Sequence, residues 1–187
     1  MKKILLMLAV IISSCLTACG QTQHKKTDFV MDKKTIVAYF SATGTTKKVA
    51  EKIALATGGK AIAIEPEKPY TATDLDWNDK QSRSSIEMAD ASSRPAIRKS
   101  DVDFNAYDIV FLGYPIWWDM APRVINTFIE NNNLKGKTVI PFATSGGSGI
   151  GNSVSILRKS YPNINWTDGR LLNHASDKLI QDWLSSF

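Results

Sequence analysis

Three short runs of this chain are β-prone and apolar almost without interruption: Thr35-Ile36-Val37-Ala38-Tyr39-Phe40, Asp108-Ile109-Val110-Phe111-Leu112-Gly113-Tyr114, and residues 138–143. A strand that meets water on one face alternates apolar and polar residues. These runs do not alternate, so each is expected to be buried on both faces, as in a parallel sheet sandwiched by helices. Helical stretches lie between them. Residues 47–57 end at Gly58-Gly59, a normal helix stop, and residues 121–131 are amphipathic with Pro122 suited to a first turn. Residues 61–65 read as a short second strand closed by Pro66, and 170–172 as a short last strand. Further helices are expected over 74–91 (with Thr73 or Asp74 as N-cap), 152–160 and 177–185. Pro141 inside the fourth strand implies a bulge or a missing ladder bond. The alternation predicts βαβ units, hence an α/β fold with a doubly wound parallel sheet. Residues 66–107 are polar and carry no clear period beyond that one helix.

The first twenty residues follow other rules. Met1-Lys2-Lys3 is a basic start, followed by an apolar run from Ile4 to Ile12. That run is too short for a spanning helix, which needs about 20 apolar residues, and it reads as a secretory signal. Leu16-Thr17-Ala18-Cys19 resembles the bacterial lipobox, which implies cleavage before Cys19 and lipidation of that cysteine. On this reading residues 1–18 are a lipoprotein signal peptide, 19–34 a flexible tether, and 35–187 one domain. An ordinary signal peptide with Cys19 near its cut is the alternative. Loss of 1–18 removes Lys2, Lys3 and Cys15, so the formal net charge of +5 falls by two and Cys19 becomes the sole cysteine of the two. A lone lipidated cysteine excludes thiolate metal sites and cysteine nucleophiles. The tether, with Lys25, Lys26, Lys33 and Lys34, would reach at most roughly 50 Å when extended. Its lysines suit anionic lipid head groups or plain solvation equally.

Three loops, each following a strand, carry the chemistry. Ser41-Ala42-Thr43-Gly44-Thr45-Thr46 precedes a helix whose N-terminal N–H groups favour an anion, so it reads as a phosphate cradle. It matches neither the Walker pattern nor G-x-G-x-x-G, and plain helix capping is the other reading. Tyr114-Pro115-Ile116-Trp117-Trp118-Asp119 places paired tryptophans in a loop, which is costly unless something flat covers them. Adjacent side chains diverge, so one should face a ligand ring while the other packs inward; two core tryptophans would also fit. Asp119 suits an N-cap before Ala121 better than a charge beside the ring. Thr144-Ser145-Gly146-Gly147-Ser148-Gly149-Ile150-Gly151 lets backbone approach a ligand edge. It is no serine-hydrolase elbow, because Ile150 follows Gly149, and no catalytic residue or metal ligand is assigned. In a doubly wound sheet all three loops meet at the carboxyl ends of the strands. Such a site fits a molecule with a phosphate tail and a flat heteroaromatic head.

In these three motifs, in order and spacing, the chain resembles the flavodoxin family over about residues 34–187. The resemblance implies a three-layer sandwich around a five-stranded parallel sheet of order 2-1-3-4-5, and a non-covalent FMN. It implies that Ser41, Thr43, Gly44, Thr45 and Thr46 hold the phosphate. Pro115, Ile116, Trp117 and Trp118 would line the isoalloxazine ring. Thr144, Ser145, Gly146, Gly147 and Gly149 would take its other side and polar edge. Soluble flavodoxins are typically strongly acidic, which helps them dock on basic redox partners; this domain is mildly basic and reads as exported, so its partner is a different protein or a small acceptor.

Three functions follow as expectations. The first is a membrane-tethered, exported FMN electron carrier, bound to a bacterial membrane on its periplasmic or cell-surface side and not to nucleic acid. The second is an FMN oxidoreductase reducing a small acceptor such as a quinone, with residues 66–107 as a wall of its site. The third is a binding module without turnover. No nicotinamide-binding fingerprint is visible, which favours the carrier. Arg83 and Glu87, four apart, suit a surface ion pair.

Overall fold

The computed structural model describes residues 33–187, so the expected signal peptide, the lipidation site Cys19 and nearly all of the tether lie outside the described residues. The chain runs β1 (Thr35–Tyr39), α1 (Thr45–Thr57), β2 (Lys60–Ala63), α2 (Arg83–Ala89), β3 (Ile109–Pro115), α3 (Arg123–Asn131), β4 (Thr138–Thr144), α4 (Gly151–Ser160), β5 (Asn165–Trp166), β6 (Arg170–Leu171) and α5 (Asp177–Leu184). All strand pairs are parallel, in the order β2-β1-β3-β4-β5, with β6 also on β4. The expected fold class and strand order are therefore present. The fifth position, however, holds two short strands where one was expected, making six.

Pro141 accounts for that split. The carbonyls of Lys137, Val139 and Ala143 accept from Asn165, Thr167 and Leu172 on the outer edge of β4. By the strand's alternation Pro141 faces the same edge and offers no donor there. The outer strand breaks at that point, where Gly169 sits at φ 72° with its ideal Cβ position 2.6 Å from the Pro141 carbonyl oxygen. No bulge forms: β3 and β4 stay in register from Ile109–Thr138 to Pro115–Thr144.

The central strands are buried on both faces. Ile36 and Ala38 join one core layer with Val124, Ile125, Phe128 and Leu157 of α3 and α4, whereas Val37 and Tyr39 join the other with Ile53 of α1 and Ile180 and Trp183 of α5. Each buried aliphatic or aromatic side chain contributes about 1.5–3 kcal/mol by leaving water. Two such layers cover both faces of the sheet and leave its edges for the loops, those that follow the strands lying at the carboxyl edge.

Two expected helical features differ. The helix expected over 74–91 is a 3₁₀ turn at Thr73–Leu75 followed by the shorter α2, capped by Ser82, whose hydroxyl accepts from the Ser85 N–H. Asp74 takes the Thr71 N–H and hydroxyl, both at 2.8 Å, while Asp76 and Asp79 take the N–H groups of Asn78 and Gln81. These short side chains outcompete the helix for backbone donors. Nor does Asp119 cap α3: Pro122 is the N-cap, extended at ψ 146°, with no side-chain cap.

β3 and β4 pack closely at one pair. An ideal Cβ at Gly113 would lie 2.1 Å from the Phe142 ring, which sits opposite in register. Gly113→Ala should therefore destabilise the fold by about 1–3 kcal/mol through overpacking, and Phe142→Leu should recover part of the loss. Urea unfolding of the two single variants and the double variant checks this.

Candidate functional site

β1, β3 and β4 run in one direction, so the loops that follow them leave from one edge and surround a cavity of about 580 Å³. From the first loop Ser41, Thr43 and Thr46 line it, with Ala42 between them. The Ser41 hydroxyl is buried with no hydrogen-bond partner among the described residues. A buried hydroxyl left unpaired costs about 1–3 kcal/mol, so this one suits a ligand oxygen as its partner. Gly44 is the N-cap of α1, at φ 86°, a value that side-chain-bearing residues adopt at a cost. The first turn of α1 holds no acidic residue to neutralise its partial positive charge. Gly44 and Thr45 flank the cavity wall without lining it.

The second loop places Pro115, Ile116, Trp117 and Trp118 in the wall. The Trp117 and Met120 backbones exchange hydrogen bonds of 3.0 and 2.9 Å across a two-residue turn. Trp118 and Asp119, at its tip, have φ 46° and 62°. Turns with two left-handed central residues are ordinarily made with Asn and Gly. A tryptophan and an aspartate here store backbone strain of about 1–3 kcal/mol each, of the kind that collects at ligand sites. Asn152 on α4 steadies the turn by donating to the Asp119 carbonyl. The two indoles diverge, Trp117 standing edge-on to Phe40 and Tyr70 while Trp118 is 43% exposed, but both line the cavity, where only one was expected to face it.

The third loop contributes Ser145, Gly146 and Gly147, together with Ser148. Thr144 turns inward, its hydroxyl 2.8 Å from that of Thr46, a buried bond that ties the first loop to the third. Gly149 is also outside the lining. The backbone donors of this loop are largely spoken for. The Gly147 and Ser148 N–H groups donate to the Ser145 hydroxyl, and the Ser145 N–H donates to the Asn173 side chain at 2.8 Å. The Asn173 amide donates back to the Ser145 carbonyl at 2.7 Å, so a side chain continues the sheet's pairing one rung beyond β6. His174, next to it, sits at φ 48°.

Sequence reasoning did not assign Leu75, Trp77 and Ser84, which come from the 66–107 segment and close one side of the cavity. A tryptophan isolated in a polar stretch was the available signal: Trp77 is 72% exposed. Arg83 and Glu87 do pair, at 2.6 Å, but their side chains are only 19% and 12% exposed, so this is not the surface pair expected. The segment is anchored from the α3 side. The guanidinium of Arg123, a buried residue, donates to the carbonyls of Glu87 and Met88 and so supplies the cation that the end of α2 lacks. Arg94 grips both carboxylate oxygens of Glu130 on α3.

The family model for flavodoxins matches residues 34–187. A crystal structure from Bacteroides eggerthii, described as a candidate flavoprotein, is 60% identical, with a TM-score of 0.80 over 82% of this chain and 97% of that one. A counterpart from Bacteroides uniformis is 55% identical, with a TM-score of 0.79 over 81% of this chain and 97% of that one. A Lactobacillus acidophilus flavoprotein crystallised in complex with FMN is 25% identical, with a TM-score of 0.63 over 81% and 98%. No curated protein matches the chain.

The Asn173 clamp predicts a local effect. In Asn173→Ala, hydrogen exchange at the Ser145, Gly147 and Ser148 amides should quicken about tenfold, the size of one lost net hydrogen bond. Asn173 is exposed, so the melting temperature should shift little. Amide exchange read by NMR checks both.

Proposed function

Because this chain belongs to the flavodoxin family, we propose that it holds FMN in the cavity at the carboxyl edge of its sheet and carries electrons at a bacterial membrane, exported and anchored through Cys19. The observation that carries the reading is the gathering of three unlike surfaces in one cavity. They are hydroxyls at an uncompensated helix N-terminus, two tryptophans, and a glycine-rich backbone edge. Each suits one part of FMN, and the buried, unpartnered Ser41 hydroxyl supports the fit.

The residues divide the work. Ser41, Thr43 and Thr46 donate hydroxyls to the phosphate while the start of α1 supplies partial positive charge, so no cationic side chain is needed there. Trp117 and Trp118 offer apolar faces to the ring, and Pro115 and Ile116 keep water from its inner side. Gly146, whose N–H is not used within the loop, offers a donor at the ring's polar edge. Bound FMN supplies a centre that accepts and returns electrons one or two at a time. The indole surroundings disfavour added negative charge on the ring and so hold its potential low. Leu75 and Trp77 favour a second reading, in which this wall also receives a small acceptor such as a quinone and the protein is an oxidoreductase.

Attachment rests on residues outside those described; among the described residues no helix is long and apolar enough to cross a membrane. Two acyl chains on Cys19 would suffice for a stable anchor.

The purified protein should be yellow, or become so with FMN, and should bleach reversibly on photoreduction. Protein that stays colourless with added FMN contradicts both readings. Sluggish oxidation of NAD(P)H in the presence of a quinone supports the carrier, and rapid turnover supports the oxidoreductase. Cys19→Ser should move the protein from the detergent phase to the aqueous phase; an unchanged partition would contradict the anchor.

A further inference from the structure

The 66–107 segment does more than close the cavity: its inner side is built around one tyrosine. Tyr70 packs its ring against Trp117 at 5.2 Å and 79°, and against Phe40 at 5.7 Å. Phe40 meets Trp117 edge-on at 5.6 Å, so the three rings form a closed cluster with the cavity-lining indole as one member. The Arg83 guanidinium lies over the Tyr70 ring, 4.0 Å from its centroid, and the Tyr70 hydroxyl donates to Glu87, whose other carboxylate oxygen takes Arg83 Nε. Arg83 also donates to the Lys68 carbonyl at 2.7 Å, fixing the approach to Tyr70. Burial and the Glu87 bond raise the Tyr70 phenol well above its ordinary value, so it stays a donor at any working pH.

This charge pair is not placed for the benefit of α2. Arg83 opens the helix and Glu87 lies in its last turn, which opposes the helix dipole, and the order is the weaker one for a pair four apart. A seven-residue helix gains little from such a pair. Its geometry makes sense from the side of Tyr70, which receives a cation on its face and an acceptor at its hydroxyl. Both charges are mostly withdrawn from water, so the pair is geometrically exacting.

We propose that Tyr70 is a positioning residue for the cavity's aromatic wall: it sets the orientation of Trp117, and the Arg83–Glu87 pair sets the orientation of Tyr70. The inference rests on the FMN reading for its ligand, and it assigns the segment the task of fixing the plate on which the flat ring lies. Tyr70 itself does not touch the ligand.

The test compares FMN with riboflavin, which shares the ring and lacks the phosphate. Tyr70→Leu should weaken both by the same factor, about tenfold, because a misoriented Trp117 loses contact with the ring that the two flavins share. The tryptophan bands of the near-ultraviolet circular dichroism should fall even without flavin. Tyr70→Phe, which keeps the ring and loses the hydroxyl, should restore most of both signals. Glu87→Gln, which removes the charge and leaves one acceptor oxygen for two donors, should lie between the two. If Tyr70→Leu fails to fold, Glu87→Gln carries the test through the same readouts, with Tyr70→Phe as the near-neutral reference. Unchanged affinity and dichroism in Tyr70→Leu, or in Glu87→Gln where the leucine variant does not fold, would overturn the proposal, as would a loss confined to FMN. If the unaltered protein binds neither flavin, the FMN reading fails, and the dichroism of the flavin-free variants still decides whether Tyr70 orients Trp117.

Discussion

Parallel pairing of strands buried on both faces is the constraint from which the rest of this structure follows. β1, β3 and β4 have apolar partners above and below, so no loop can cross either face of the sheet. Their shared direction sends the three connecting loops to one edge. There the chain diverges, from β1 outward to β2 on one side and onward to β3 and β4 on the other, leaving the crevice where ligands bind in open α/β sheets. The cavity is thus a consequence of the core, and its chemistry is a consequence of what the loops contain.

Within that frame the loops are held by few but specific bonds. The Thr46–Thr144 hydroxyl pair joins the phosphate side to the ring side through the interior. The strained turn at Trp118 and Asp119 and the Asn173 clamp on Ser145 fix the other two loops. Polar side chains thus substitute for regular pairing where the sheet ends. Strain at Trp118 is tolerated because the flanking strands and the backbone bonds between Trp117 and Met120 over-determine its position.

β1, β3, β4 and most helices were legible in the sequence to within about two residues, because a doubly buried strand needs an unbroken apolar run. The three loops were legible for the same reason, as the polar or glycine-rich punctuation after those runs. What escaped notice depends on competition or distance. Asp74 reads as a candidate helix N-cap and Asp76 and Asp79 as helix residues until their side chains are seen holding local N–H groups. The two-piece outer strand follows from Pro141 facing the edge, and sequence alone does not say which edge a residue faces. Asn173 acts on Ser145 from 28 residues away, and Leu75, Trp77 and Ser84 join the wall only once Arg123 and Arg94 draw their segment onto α3. Arg83 and Glu87 were paired correctly by spacing, but their burial depends on Tyr70, thirteen residues before Arg83.

One cavity, into which three loops project and which the 66–107 segment closes on one side, is proposed to hold the two ends of FMN. The most direct measurement is an NMR titration of the flavin-free protein with FMN, following backbone amides and tryptophan indoles. The amides of Thr43 to Thr46, the indoles of Trp117 and Trp118, and the amides of Gly146 to Ser148 should shift together and saturate at one equivalent. Shifts confined to one loop, shifts centred elsewhere on the fold, or none at all would contradict it.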